Sequence, residues 1–139
     1  MKKSRGFSLL ELLIVVAIIL IIATIAIPSL LRSRQAANES GAVANLRTIN
    51  TAQVTYMSGT GGSYGGLSDL ISAGLLDSRF NGAFSGYSYT VTTASSDTDY
   101  TALASPISAN TGRFGYYSGP DGVVRYSSGT GVTEGVPIQ

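Results

Sequence analysis

One carboxylate, Glu11, stands inside the most apolar stretch of the chain, and its chemistry demands a partner. Basic Lys2, Lys3 and Arg5 precede it, Gly6 and Phe7 come between, and no further charge occurs until Arg32. A charged side chain inside a membrane segment costs about 3 kcal/mol on insertion scales and usually marks a function with a specific partner. The rest of the chain offers little else that reacts. It holds no cysteine and no histidine, which excludes disulfides, thiol nucleophiles, imidazole bases and the usual zinc and haem ligand sets. Asp97, Asp99 and Asp121 are turn carboxylates whose spacing matches no calcium loop, so they read as solvated rather than metal-binding. The glycine-rich stretch from Gly59 to Gly66 lacks the lysine and the spacing of a phosphate loop. No nucleophile–base set is present, so neither catalytic residues nor a cofactor are expected. A net charge of +1 without a local basic patch gives no reason to expect a nucleic-acid partner.

Glu11 must be positioned by the apolar run around it. From Leu12 to Leu31 the only non-apolar residues are Thr24, Pro28 and Ser29, and about 20 such residues suffice for a helix to cross the hydrocarbon core. A secretory signal peptide has a shorter apolar region and a small-residue cleavage site, whereas this run leads into Leu30-Leu31-Arg32-Ser33-Arg34. A plain membrane anchor would keep the Lys2, Lys3 and Arg5 side cytoplasmic but leaves Glu11 unexplained. Pro28 removes one backbone hydrogen bond and crowds the preceding turn, so a kink or local unwinding near Thr24 and Ile25 is expected.

The string from Arg5 through Gly6, Phe7, Ser8, Leu9, Leu10 and Glu11 to Ile19, with Ala26-Ile27-Pro28 behind it, resembles the N-terminus of type IV pilins and pseudopilins. The resemblance implies a leader at residues 1–6, cut after Gly6 by a membrane-embedded prepilin peptidase, with Phe7 as a new N-terminus that the same enzyme class methylates. It implies that Glu11 pairs with the Phe7 ammonium of a neighbouring subunit during assembly. A positive partner would remove much of the cost of the buried carboxylate. Cleavage would leave 133 residues, with six basic side chains against eight acidic ones. Filaments of the family often melt a stretch before the proline, helped by a glycine where this chain has Leu20, so a shorter melted stretch is expected here. Many members close their C-terminal region with a disulfide, which this chain cannot form.

The remaining elements follow from period and punctuation. Residues 7–31 form the hydrophobic transmembrane and assembly helix, and residues 32–58 continue it as an amphipathic helix in water, the whole running from Ser8 to Met57. Ala42, Leu46, Ile49, Gln53 and Tyr56 fall on one face, with Val43, Val54 and Met57 near it and Arg47, Asn50, Thr51 and Thr55 largely elsewhere. Gly59, Gly61 and Gly62 are expected to end it. Residues 59–85 make a connecting loop with a short helix near Leu67–Leu75 and a glycine stop. Residues 86–128 alternate as four strands: Tyr87–Thr92, Tyr100–Ala104, Arg113–Ser118 and Val123–Ser127. Gly119-Pro120-Asp121-Gly122 is a hairpin signal between the last two. Residues 129–139 form a glycine-rich tail expected to be loosely held. The fold class is α+β, a long N-terminal helix on a small antiparallel sheet, the pilin fold that the resemblance implies.

The expected function is that of a structural subunit of a helical pilus filament, with further copies of itself, the prepilin peptidase and inner-membrane assembly machinery as partners. The expected location is the inner membrane before assembly and the cell surface after it. A pseudopilin of a type II secretion or DNA-uptake system is the nearest alternative. A membrane-anchored binding module that never polymerises is a third reading, and it predicts that Glu11→Ala changes nothing.

Overall fold

The computed structural model describes residues 6–128 and 136–138. The chain divides into two compact units, Met1–Ser33 and Arg34–Gln139, and the longest element, α1 (Leu9–Thr60), contributes to both. The other elements are α2 (Leu67–Ser72), a 3-10 turn (Ser78–Asn81), and strands β1 (Ala83–Phe84), β2 (Tyr87–Thr93), β3 (Tyr100–Pro106), β4 (Gly115–Ser118), β5 (Arg125–Ser127) and β6 (Val136–Pro137).

In the first unit α1 buries almost nothing. From Leu9 to Leu31 every residue except Ala23 is exposed, and an 18-residue stretch of α1 has a mean hydropathy of 3.1 with none of it buried. A surface this apolar is stable only against lipid or other protein. The local unwinding expected near Thr24 and Ile25 is absent: α1 runs unbroken through Pro28. Proline lacks an N–H, so the Thr24 carbonyl has no helical donor there, while the Thr24 hydroxyl donates to the Ile21 carbonyl at 2.7 Å.

In the second unit α1 packs one stripe inward: Gln35, Glu39, Ala42, Leu46, Ile49, Asn50, Ala52 and Gln53. The i, i+4, i+7 spacing puts these side chains on one face. Two expectations are corrected. Asn50, placed off the packing face, is buried, and Val54, placed near it, is 57% exposed. At 100° per residue Asn50 lies one step from Ile49 and three from Gln53, close enough to the seam for a polar partner across it to draw it in. Val54 lies one step beyond Gln53, where nothing covers it. The helix also runs past Gly59 to Thr60. Gly61 and Gly62, both at positive φ, end it.

The sheet has six strands, not four, all antiparallel and in chain order β1 to β6. The four expected strands are β2 to β5, with β4 and β5 starting two residues later than expected. The additions are two-residue edge strands. β1 is set by a tight turn in which Ser85 and Gly86 both have positive φ, the backbone a type I′ hairpin requires. β6 takes up part of the tail, while residues 129–135 and 139 lie outside the described residues. Along β2 and β3 the burial alternates as expected, with Tyr87, Tyr89, Tyr100, Ala102 and Ala104 inward. Small and large residues interleave: Ala104 lies between Tyr89 and Tyr116 in the register, leaving room for rings on both neighbouring strands. Tyr87 packs against Tyr116 at 6.0 Å and Phe80 against Tyr89 at 5.3 Å. Leu46, Ile49 and Leu70 are fully buried beneath them. α2 ends as expected, with Gly74 at positive φ.

Candidate functional site

Two sets of side chains stand out, one in each unit. In the first, the Glu11 carboxylate accepts from the Ser8 backbone N–H at 2.9 Å, and the Leu10 N–H donates to the Ser8 hydroxyl at 3.3 Å. Ser8 is the N-cap, its hydroxyl taking the second helical N–H, and Glu11 supplies the carboxylate half of a capping box, so donors that a helix start leaves open are satisfied. The spacing Ser8-x-x-Glu11 is legible in the sequence, although the partner expected for Glu11 was an external cation. One carboxylate oxygen is engaged within the chain, and the other has no partner among the described residues. Phe7, directly before the cap, is 82% exposed. Gly6 is the first described residue, and Met1 to Arg5 of the expected leader lie outside the described residues. Gly6, Phe7, Ser8 and Glu11 thus gather at one helix mouth, while Pro28 sits nearly five turns away along α1.

In the second unit, polar side chains of α1 clamp the loops of the sheet. Glu39 takes the backbone N–H and Nε of Arg113 on one oxygen, at 2.8 and 3.1 Å, and a terminal guanidinium nitrogen on the other at 2.9 Å. Burial pushes the Glu39 carboxyl up, but the Arg113 hydrogen bonds and charge outweigh it and hold it below the usual carboxylate range. Gln35 and Asn38 donate to the Ala109 and Thr111 carbonyls, so one face of the helix fixes the whole β3–β4 loop. Asn50 accepts from the Tyr100 and Ser118 hydroxyls at 3.0 and 2.7 Å and donates to the Gly122 carbonyl. Gln53 exchanges two hydrogen bonds with Gly65. Sequence reasoning missed Gln35, Glu39 and the role of Asn50. The available signal was the helical stripe continued upstream, because a polar residue on an inward position implies a waiting partner.

Two of the three turn carboxylates are otherwise occupied. Asp121 pairs with Arg125, whose hydrogen bond holds it below the usual range. Asp99 caps the Tyr100 N–H, whereas Asp97 is held by its backbone, whose carbonyl accepts from the Tyr64 N–H. Among the described residues no group of three acidic side chains is placed to hold a metal.

The described residues thus give an exposed apolar helix capped near Ser8 in the first unit and a helix packed on an antiparallel sheet in the second. Residues 1–27 match the model of the prokaryotic N-terminal methylation motif. The chain is 46% identical over 56 residues to the type IV major pilin protein PilA of Myxococcus xanthus, covering 40% of this chain and 26% of that protein. It is 39% identical over 85 residues to the type IV wide pilus major component PilA4 of Thermus thermophilus, covering 61% of this chain and 65% of that protein. The chain therefore spans about a quarter and just under two thirds of these two relatives. No solved structure matches it. The motif and the two relatives support assignment to the type IV pilin family.

Proposed function

We propose that this chain is a structural subunit of a type IV pilus filament, cut between Gly6 and Phe7 and polymerised through α1. The observation that carries the reading is an apolar helix with no buried surface of its own and a single carboxylate at its mouth. Such a helix is at home in lipid before assembly and against its own copies afterwards, where close packing replaces lipid contact. Once the leader is removed, Phe7 carries an ammonium four residues ahead of Glu11. A helix bundle that staggers neighbours brings that ammonium to the next subunit's carboxylate, and the charge pair sets the stagger. Pro28 and the donor-free Thr24 carbonyl supply a point where α1 unwinds in the packed bundle, over a stretch shorter than Leu20–Pro28. Self-association, a prepilin peptidase, an assembly machine in the inner membrane and a final place at the cell surface belong to this reading. The role is structural, not catalytic.

Intact mass and N-terminal analysis of protein from sheared cell-surface material tests it. A chain starting at methylated Phe7 in that fraction is the expected result, and Glu11→Ala abolishes its recovery there while leaving the membrane pool folded. A processed chain confined to the periplasmic side would indicate a secretion-type filament. A chain still starting at Met1, with Glu11→Ala indistinguishable from the parent, would overturn the reading.

A further inference from the structure

The second unit carries an open groove of about 480 Å³ between α1 and the β4–β6 side of the sheet. Glu39, Val43 and Arg47 line its helix side at four-residue intervals, and Phe114, Tyr116 and Tyr126 line the other. Eight residues of helix separate the two charges, about 12 Å. We propose that this groove is a binding site for a small carboxylate ligand with an apolar, ring-bearing body.

Three observations define the ligand. The first is an unused hydroxyl: Tyr116 is only 6% exposed, yet its hydroxyl has no hydrogen-bond partner among the described residues. Every fully enclosed side-chain nitrogen or oxygen among those residues does have one. The Tyr116 hydroxyl therefore reaches open space, and the open space that Tyr116 lines is this groove. Water can satisfy it there, and a ligand acceptor or donor would take that water's place.

The second is the charge balance. The two Glu39 oxygens already take three hydrogen bonds from Arg113, so the acid at one end is neutralised. The Arg47 guanidinium at the other end has no ion-pair or hydrogen-bond partner among the described residues. The charge left for a ligand is positive, and a guanidinium binds a carboxylate through paired parallel hydrogen bonds. The third is the wall between them. Val43 and the Phe114–Tyr126 pair, edge-to-face at 5.2 Å, offer apolar and ring surface to a flat or branched body.

The groove belongs to the second unit alone, so the proposal does not depend on polymerisation. The test uses the full chain in detergent and the probe 3-(4-fluorophenyl)propionate, followed by fluorine NMR titration against protein-free micelles. Saturable binding is expected, weakened about tenfold by Tyr116→Phe and more by Arg47→Gln, the size of one lost neutral or charge-assisted hydrogen bond. The uncharged alcohol of the same body binds no better than to Arg47→Gln. Tyr116→Phe removes only a hydroxyl without a protein partner, and Arg47 is exposed, so both variants keep the circular dichroism of the parent. Binding that does not saturate, or that is equal in parent and both variants, reflects partition into the micelle and overturns the proposal.

Discussion

At the scale of single residues, the head is tied to its helix by amide and carboxylate side chains rather than by covalent bonds. Asn50 satisfies two buried hydroxyls and one carbonyl at once, bringing together residues 50, 100, 118 and 122. Replacing it by alanine strands the Tyr100 and Ser118 hydroxyls away from water. The expected loss is about 3 kcal/mol, since each orphaned buried group costs on the order of 1–3 kcal/mol, and urea denaturation of parent and Asn50→Ala would measure it. Glu39 makes stability depend on acid. Its folded-state pKa lies below the ordinary value of 4.5, so its contribution is complete above the unfolded value and is lost as pH falls through the folded one. Melting temperature is therefore expected to drop below about pH 4.5, and Glu39→Gln, which keeps one acceptor but no charge, should flatten that acid slope.

At the scale of elements, β1 and its turn show how a single conformation sets an edge. Gly86 has φ +78°, and a Cβ built there would lie 2.6 Å from the Asn38 amide nitrogen and 3.0 Å from Thr111. The helix, the β1–β2 turn and the β3–β4 loop therefore meet at a point with no room for a side chain. Gly86→Ala meets both the steric overlap and the left-handed backbone, which alone costs a residue with a Cβ about 1–2 kcal/mol. Loss of at least that much stability is expected in the same denaturation experiment, with the β1–β2 amides losing hydrogen-exchange protection first. Much at this scale was legible beforehand. The period-2 tyrosines announced β2 and β3, and the Gly-Pro-Asp-Gly turn announced the β4–β5 hairpin, because both signals are local. β1 and β6 were not, since a two-residue strand has no period and exists only because a neighbour offers hydrogen bonds.

At the scale of the whole molecule, the core is unusual in being filled with tyrosines whose rings lie inward. Burial pushes the Tyr100 and Tyr116 hydroxyls up to about 12 from 10.0, and Tyr87 further still. The folded state holds these protons where the unfolded chain releases them, so the stability they confer is complete below pH 10 and declines as pH rises towards 12. Alkaline denaturation monitored by tyrosinate absorbance should show ionisation and unfolding in one cooperative step, with no early titration of these three. The sequence by itself determined the division of labour: an apolar helix with one carboxylate, a glycine-terminated amphipathic continuation and an alternating sheet. Those features are carried by composition and period, which act along the chain. Only the tertiary structure decided which polar residues of α1 turn inward and that Tyr116 and Arg47 face one groove. Each depends on a partner brought close in space, at up to 74 residues' separation for Glu39 and Arg113, and no local pattern encodes the match between a side chain and a loop that folds onto it.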